Sequence, residues 1–121
     1  MDKRVIVADD EVNIRDFLCI LVESCVPDAK IDSVADGDSL VQKVMEGDYD
    51  LILTDYEMGP GMNGVDAIKA IRAINTKVPI YMISSSSKLE EALNAGATGY
   101  LEKPFENERI QEIASKHLSI R

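Results

Sequence analysis

Short apolar runs alternate along this chain with longer stretches in which apolar residues recur every three or four positions. The runs read as strands at about 4–8, Ile31 to Ala35, about 50–54, Ile80 to Ile83 and Gly99 to Glu102. The stretches between them read as helices. The first spans about 11–25, with Ile14, Phe17, Leu18, Leu21, Val22 and Cys25 at helical spacing, until Pro27-Asp28 breaks it. Asp36-Gly37-Asp38 turns the chain into a second helix, about 38–46, which Gly47-Asp48 stops. Asn63 suits the N-cap of a third, whose Val65, Ile68, Ile71 and Ile74 share a face. A short fourth, about 87–95, ends at Gly96, and a fifth begins after Lys103-Pro104 with Ile110, Ile113, Ala114 and Leu118 inward. Five strand-then-helix units predict right-handed crossovers and a parallel sheet covered on both faces.

Length narrows this to one α/β domain over 1–121, since 121 residues bury about two-thirds of the unfolded surface. A net charge of −9 with no basic run argues against nucleic acid and anionic membrane as partners. Asp9, Asp10 and Glu11 interrupt any signal-peptide core, and no apolar stretch approaches a membrane span. Cys19 and Cys25 stand about 9 Å apart along one helix, too far for a disulfide. They read as small boundary residues in a reducing compartment, with the cytoplasm expected.

The chemistry gathers at strand ends. Asp9-Asp10-Glu11 closes the first strand, Asp55 the third, Ser84 the fourth and Lys103-Pro104 the fifth. In an open parallel sheet those ends form the ligand crevice. Carboxylates collected there repel one another unless a hard cation joins them, and Mg2+ is suited where a phosphate also binds. The constellation points to a carboxylate that accepts a phosphoryl group.

Asp9-Asp10, Asp55, Ser84 and Lys103-Pro104-Phe105, with the segment from Gly96 to Phe105, resemble the receiver domain of bacterial two-component response regulators. The resemblance runs the length of the chain. It implies a flavodoxin-like (βα)5 fold of strand order 2-1-3-4-5 and, with no output domain attached, a stand-alone regulator similar to those of chemotaxis. Asp55 would take a phosphoryl group from a histidine kinase or another phosphodonor. Asp10, Asp55 and the backbone carbonyl of Glu57 would hold Mg2+ (or Mn2+), with Asp9 reaching it through water. Lys103, after a cis bond to Pro104, would meet a phosphoryl oxygen. Ser84 would move to bond that group, and Tyr100 would turn inward as the aromatic switch. Helix four, strand five and helix five would form the face that meets a downstream protein. Glu57 and Ser86 stand where the family tunes dephosphorylation.

Two departures from the family stand out. Met58-Gly59-Pro60-Gly61-Met62 carries an added glycine, which predicts a longer, more mobile loop over the metal. The stretch from Ser84 to Lys103 is about three residues short, which predicts a shortened helix four or its loop. Plainer readings stand beside these. Asp9-Asp10 could be a helix N-cap, Asp55 a solvated turn residue, Lys103-Pro104 a helix start, Ser87 an N-cap, Tyr100 core packing, and His117 a favourable charge at a helix end. Gly59 to Gly64 matches G-x-G-x-x-G, the fingerprint of a nucleotide-binding turn, but Asp55 before it would repel phosphate and no acid follows at the right distance. A dehalogenase-like phosphohydrolase is a further alternative, as are a phosphate sink and a relay intermediate.

Overall fold

A computed structural model describes residues 2–118, so positions 1 and 119–121 of the expected 1–121 domain lie outside the described residues. Five strands alternate with five helices: β1 (Arg4–Ala8), α1 (Val12–Cys25), β2 (Lys30–Val34), α2 (Gly37–Glu46), β3 (Leu51–Thr54), α3 (Gly64–Arg72), β4 (Ile80–Ser84), α4 (Leu89–Ala95), β5 (Gly99–Glu102) and α5 (Asn107–Leu118). The strands pair in parallel in the order β2-β1-β3-β4-β5. This is the flavodoxin-like order that the resemblance implied.

Strand side chains alternate between the two faces, and both faces are covered. On one side Ile6, Ile52, Ile80 and Met82 pack with Leu40 of α2, Ile68 and Ile71 of α3 and Ala92 of α4. On the other, Val5, Val7, Leu51, Leu53 and Ile83 meet Leu18 and Val22 of α1 and Ile110 and Ala114 of α5. All four residues of β3, the central strand, are buried. Its far end is therefore fixed in place, and Asp55 follows directly.

Local chemistry sets the helix starts. Asp36 caps α2 by accepting from Ser39 N, and Asn63 caps α3 by accepting from Asp66 N. Helix α4 differs from expectation: it begins at Leu89 with Lys88 at the cap position, and Ser87 plays no capping part. Pro104 is no helix N1 residue either. Its bond to Lys103 is cis, and α5 starts at Asn107.

Two residues expected in the core face outward. Phe17 is 39% exposed, because the inward arc of α1 is filled by Leu18, Leu21 and Val22. Ile74 is 52% exposed, because α3 ends at Arg72 and its helical spacing no longer applies. Cys19 and Cys25 are free and half-buried. No helix among the described residues is long and apolar enough to cross a membrane.

Candidate functional site

β1 carries Asp9 to the sheet's edge as a buried carboxylate, 1% exposed. One of its oxygens, Oδ1, accepts from Glu11 N at 2.9 Å, and the other, Oδ2, accepts from Lys103 Nζ at 3.0 Å. Arg15, one turn into α1, donates to the Asp9 carbonyl at 2.8 Å and fixes the acidic turn from behind. Asp10 points out to solvent. Neither acid caps α1: Glu11 holds the cap position and makes no side-chain bond to the helix.

Asp55 follows β3 and is also buried. Its amide donates to the Ala8 carbonyl, which ties it to the end of β1. Its carboxylate accepts from Tyr56 N at 2.8 Å and lies 3.5 Å from Lys103 Nζ. Burial, and then the Asp9 charge, push the Asp55 carboxyl up to about 6, with Lys103 and the Tyr56 amide pulling the other way. Burial works against the Lys103 ammonium, yet its hydrogen bond to Asp9 and the charges of Asp55 and Asp9 outweigh burial and hold its pKa above the usual lysine value. Asp9, Asp10 and Asp55 each offer an oxygen within 4.8 Å of the others. Three carboxylate oxygens facing one ammonium leave excess negative charge and a hard donor set, which fits Mg2+ or Mn2+.

In the loop after Asp55 the start packs inward, and Gly59, Pro60 and Gly61 are exposed. Met58 is 2% exposed within the core, and Thr54 Oγ1 lies 3.8 Å from its sulfur. Gly64 lets α3 approach closely: a Cβ there would stand 2.2 Å from the Asp55 carbonyl oxygen. Glu57 is exposed, directly after Tyr56. The glycine-rich stretch is no phosphate cradle. Gly61 adopts φ 95°, and a Cβ there would meet the Asp38 carboxylate at 2.6 Å, so an anion is unwelcome.

Ser84 is buried at the end of β4, and its hydroxyl accepts from Ser86 N at 3.1 Å. The Lys103 amide donates to the Ser84 carbonyl, which ties the residue after β5 to the end of β4. Tyr100, half-buried against the core, donates its hydroxyl to the Ser86 carbonyl and accepts from Lys88 N at 3.2 Å. The expected site residues thus form two linked groups: Asp9, Asp10, Asp55 and Lys103 at the centre, and Ser84, Ser86 and Tyr100 beside them.

Residues 5–115 match the response regulator receiver domain. The chain belongs to that family. Like this receiver domain, the chemotaxis response regulator CheY4 of Vibrio cholerae has the five-unit fold, with a TM-score of 0.86, 28% identity and coverage of 98% of this chain and 100% of that one. A receiver domain from a sensor histidine kinase of Pseudomonas aeruginosa, with a magnesium ion coordinated in its active site cleft, matches at a TM-score of 0.85 and 26% identity, over 99% of this chain and 100% of that one. A protein-glutamate methylesterase/protein-glutamine glutaminase from Nocardioides is 40% identical over 107 residues, which are 84% of this receiver domain but 29% of that protein. Chemotaxis protein CheY-3 of Vibrio cholerae is 38% identical over 86 residues, covering 67% of this chain and 65% of its own length. The chain therefore spans less than two-thirds of these curated relatives.

Sequence reasoning missed the contacts of three side chains. Arg15 braces Asp9, Lys88 lies 4.9 Å over the Tyr56 ring, and His117 Nε2 bonds the Tyr81 hydroxyl at 2.7 Å. The last is more than a helix-end charge, because it joins α5 to β4. Its partner stands 36 residues away, beyond any local pattern.

Proposed function

We propose that this receiver domain takes a phosphoryl group onto Asp55 from the phosphohistidine of a histidine kinase, or from another phosphodonor, and signals through an altered protein-binding face. The observation that carries this reading is the convergence of Asp9, Asp10 and Asp55 within 4.8 Å of one another, with Lys103 Nζ 3.5 Å from Asp55. An Asp55 oxygen attacks phosphorus, and the phosphorus–nitrogen bond breaks with its electron pair left on the imidazole. An aspartyl phosphate results. Mg2+ (or Mn2+), held by Asp10, Asp55 and the Glu57 carbonyl with Asp9 reaching it through water, would offset the phosphoryl oxygens' charge.

The protein's own groups supply the rest. β1 and β3, joined through the Asp55 amide and the Ala8 carbonyl, hold nucleophile and acidic pair in fixed relation. Lys103 is a compact point charge already between Asp9 and Asp55, so it stays beside whatever is added to Asp55. Ser84 exchanges its bond from Ser86 N for one to the phosphoryl group, and the Ser86 carbonyl carries that change to Tyr100. Leu89, which lines one cavity with Tyr100, and Leu93 are exposed on α4 and suit the face a downstream protein would read. The likeness to chemotaxis regulators makes that pathway the reading for the target. On this reading the receiver domain signals, and the chemistry at its own site is phosphorylation and dephosphorylation of Asp55.

Mass spectrometry after incubation with acetyl phosphate and Mg2+ tests this. The parent should gain one phosphoryl group and Asp55→Asn none. Full labelling of Asp55→Asn would remove the assignment.

A further inference from the structure

Lys88 meets Tyr100 and Tyr56, the residue after Asp55, with different parts of itself. Its amide donates to the Tyr100 hydroxyl at 3.2 Å. Its ammonium lies 4.9 Å from the centroid of the Tyr56 ring. Tyr56 is the residue whose amide donates to the Asp55 carboxylate, and its carbonyl accepts from Gly64 N. Its hydroxyl takes a long bond, 3.4 Å, from Asn63 Nδ2. The Tyr56 backbone is thus tied to the turn that carries Asp55, and its hydroxyl adds a further, longer bond. The Lys88 side chain is only 32% exposed, and its ion pair with Glu91, at 3.9 Å, is too long and too solvated to fix its position. A cation over an aromatic face is attracted by the ring's quadrupole, and partial desolvation strengthens that attraction. The ring therefore sets where Lys88 sits.

We propose that Lys88 is a positioning residue that latches Tyr100 to the turn carrying Asp55, its side chain on Tyr56 and its amide on the Tyr100 hydroxyl. The functional meaning rests on reading Asp55 as the phosphoacceptor; the latch itself stands on contacts that do not involve the phosphoryl group. Both contacts belong to one residue, joined through its four-carbon stem, so the hold of the Tyr56 ring on the ammonium limits where the amide that bonds Tyr100 can move. The route through Ser84 and Ser86 reaches the same hydroxyl from the other side. Tyr100 thus receives two inputs from the two loops that border the site.

The amide of residue 88 reads the latch directly. Its hydrogen-exchange protection factor is measured by NMR in the unphosphorylated protein, with Tyr100→Phe as the released reference. Lys88→Met keeps the side chain's length and removes its charge; Tyr56→Leu removes the ring. Each should lower protection at residue 88 by about two- to fivefold, the range expected of a partly exposed cation–π contact. The double variant should lose no more than either single one, and Lys88→Arg should keep the parent's protection. Unchanged protection in Tyr56→Leu, or losses that multiply in the double variant, would overturn the latch. The mass of each protein after acetyl phosphate and Mg2+ is recorded alongside. An unlabelled parent would sink the reading of Asp55 while the exchange data still decide the latch.

Discussion

Two buried carboxylates and one ammonium cannot balance, and that imbalance governs the chemistry of single residues here. Lys103 bonds Asp9 at 3.0 Å and lies 3.5 Å from Asp55, so it is shared, and solvent-facing Asp10 adds a third negative charge. The cluster costs stability when no cation is bound, because like charges are held within one site. Asp10→Ala should therefore lose Mg2+ affinity while its melting temperature in chelator stays level or rises. The parent should be stabilised by added Mg2+ according to the affinity, RT ln(1 + [L]/Kd), and the variant should not. Equal Mg2+-induced shifts in the two proteins would exclude Asp10 as a ligand. If Asp55 is phosphorylated as proposed, Glu57 should act on the lifetime of that state. It is exposed and anionic, two residues past Asp55, and would repel the charge gathered on the phosphoryl oxygens as water attacks. Ser86 is too short to hold that water firmly, and its carbonyl is occupied by Tyr100. Glu57→Gln should shorten the lifetime of the labelled protein at fixed Mg2+. A longer lifetime would mean that the carboxylate orients the water instead.

At the scale of elements, the site depends on how closely α3 approaches the end of β3. A Cβ on Gly64 would stand 2.2 Å from the Asp55 carbonyl oxygen and 2.7 Å from Met82 Cε. The methionine can yield; the backbone cannot without moving Asp55. Gly64→Ala should cost about 2–3 kcal/mol by overpacking. It should also slow labelling of Asp55, because the displaced atoms belong to that residue. Denaturant unfolding and labelling rates check the two effects, and a variant as stable and as fast as the parent would contradict the geometry. Elements of this kind were legible in the sequence. Apolar runs of four or five residues are strands buried on both faces, and the polar residues that end them fall where the strands' carboxyl ends form a crevice. Helix limits were read less well where no side chain caps the end: α4 starts two residues later than the serine run suggested, since Lys88 and not Ser87 sits at its boundary. Phe17 was misplaced because the inward arc of α1 is narrower than its apolar spacing. The partners of Arg15, Lys88 and His117 were not legible at all. Those contacts depend on rotamers and on how helices seat on the sheet, which no periodicity encodes.

Across the whole molecule the two ends of the sheet do opposite work. The carboxyl ends gather charges that repel, while the amino end is tied by charges that attract. There Arg4 of β1 meets Asp32 of β2 at 3.3 Å, its guanidinium lies 4.6 Å from the centroid of the Tyr49 ring, and its amide donates to Asp50. Tyr49, just before β3, is buried and donates its hydroxyl to Asp32 at 2.6 Å. One network thus joins edge strand β2 to β1 and to the entry of β3, far along the strands from Asp55. Its pH dependence follows from two shifts. The Tyr49 hydrogen bond, set against a smaller effect of burial, holds the Asp32 carboxyl below its ordinary 3.8. Burial, then the bond to Asp32, pushes the Tyr49 hydroxyl up to about 12. A lowered carboxyl stabilises the fold above its unfolded pKa, and that stability disappears as pH falls through the folded value. A raised phenol stabilises it below its own unfolded pKa, and that stability disappears as pH rises through about 12. Tyr49→Phe keeps the ring under Arg4 and removes only the hydroxyl. Because Asp32 is partly exposed, the loss near neutral pH should be about 1 kcal/mol. The difference between parent and variant should stay level from about pH 5 to about pH 9 and shrink on the acid side as Asp32 takes up its proton. Charges at the carboxyl ends of the strands are common to both proteins and cancel in that difference. Denaturant unfolding of the pair across this range reads it directly. A difference that stays constant into strong acid would assign Tyr49 to packing alone and take its hydroxyl out of the network that Arg4 and Asp32 form.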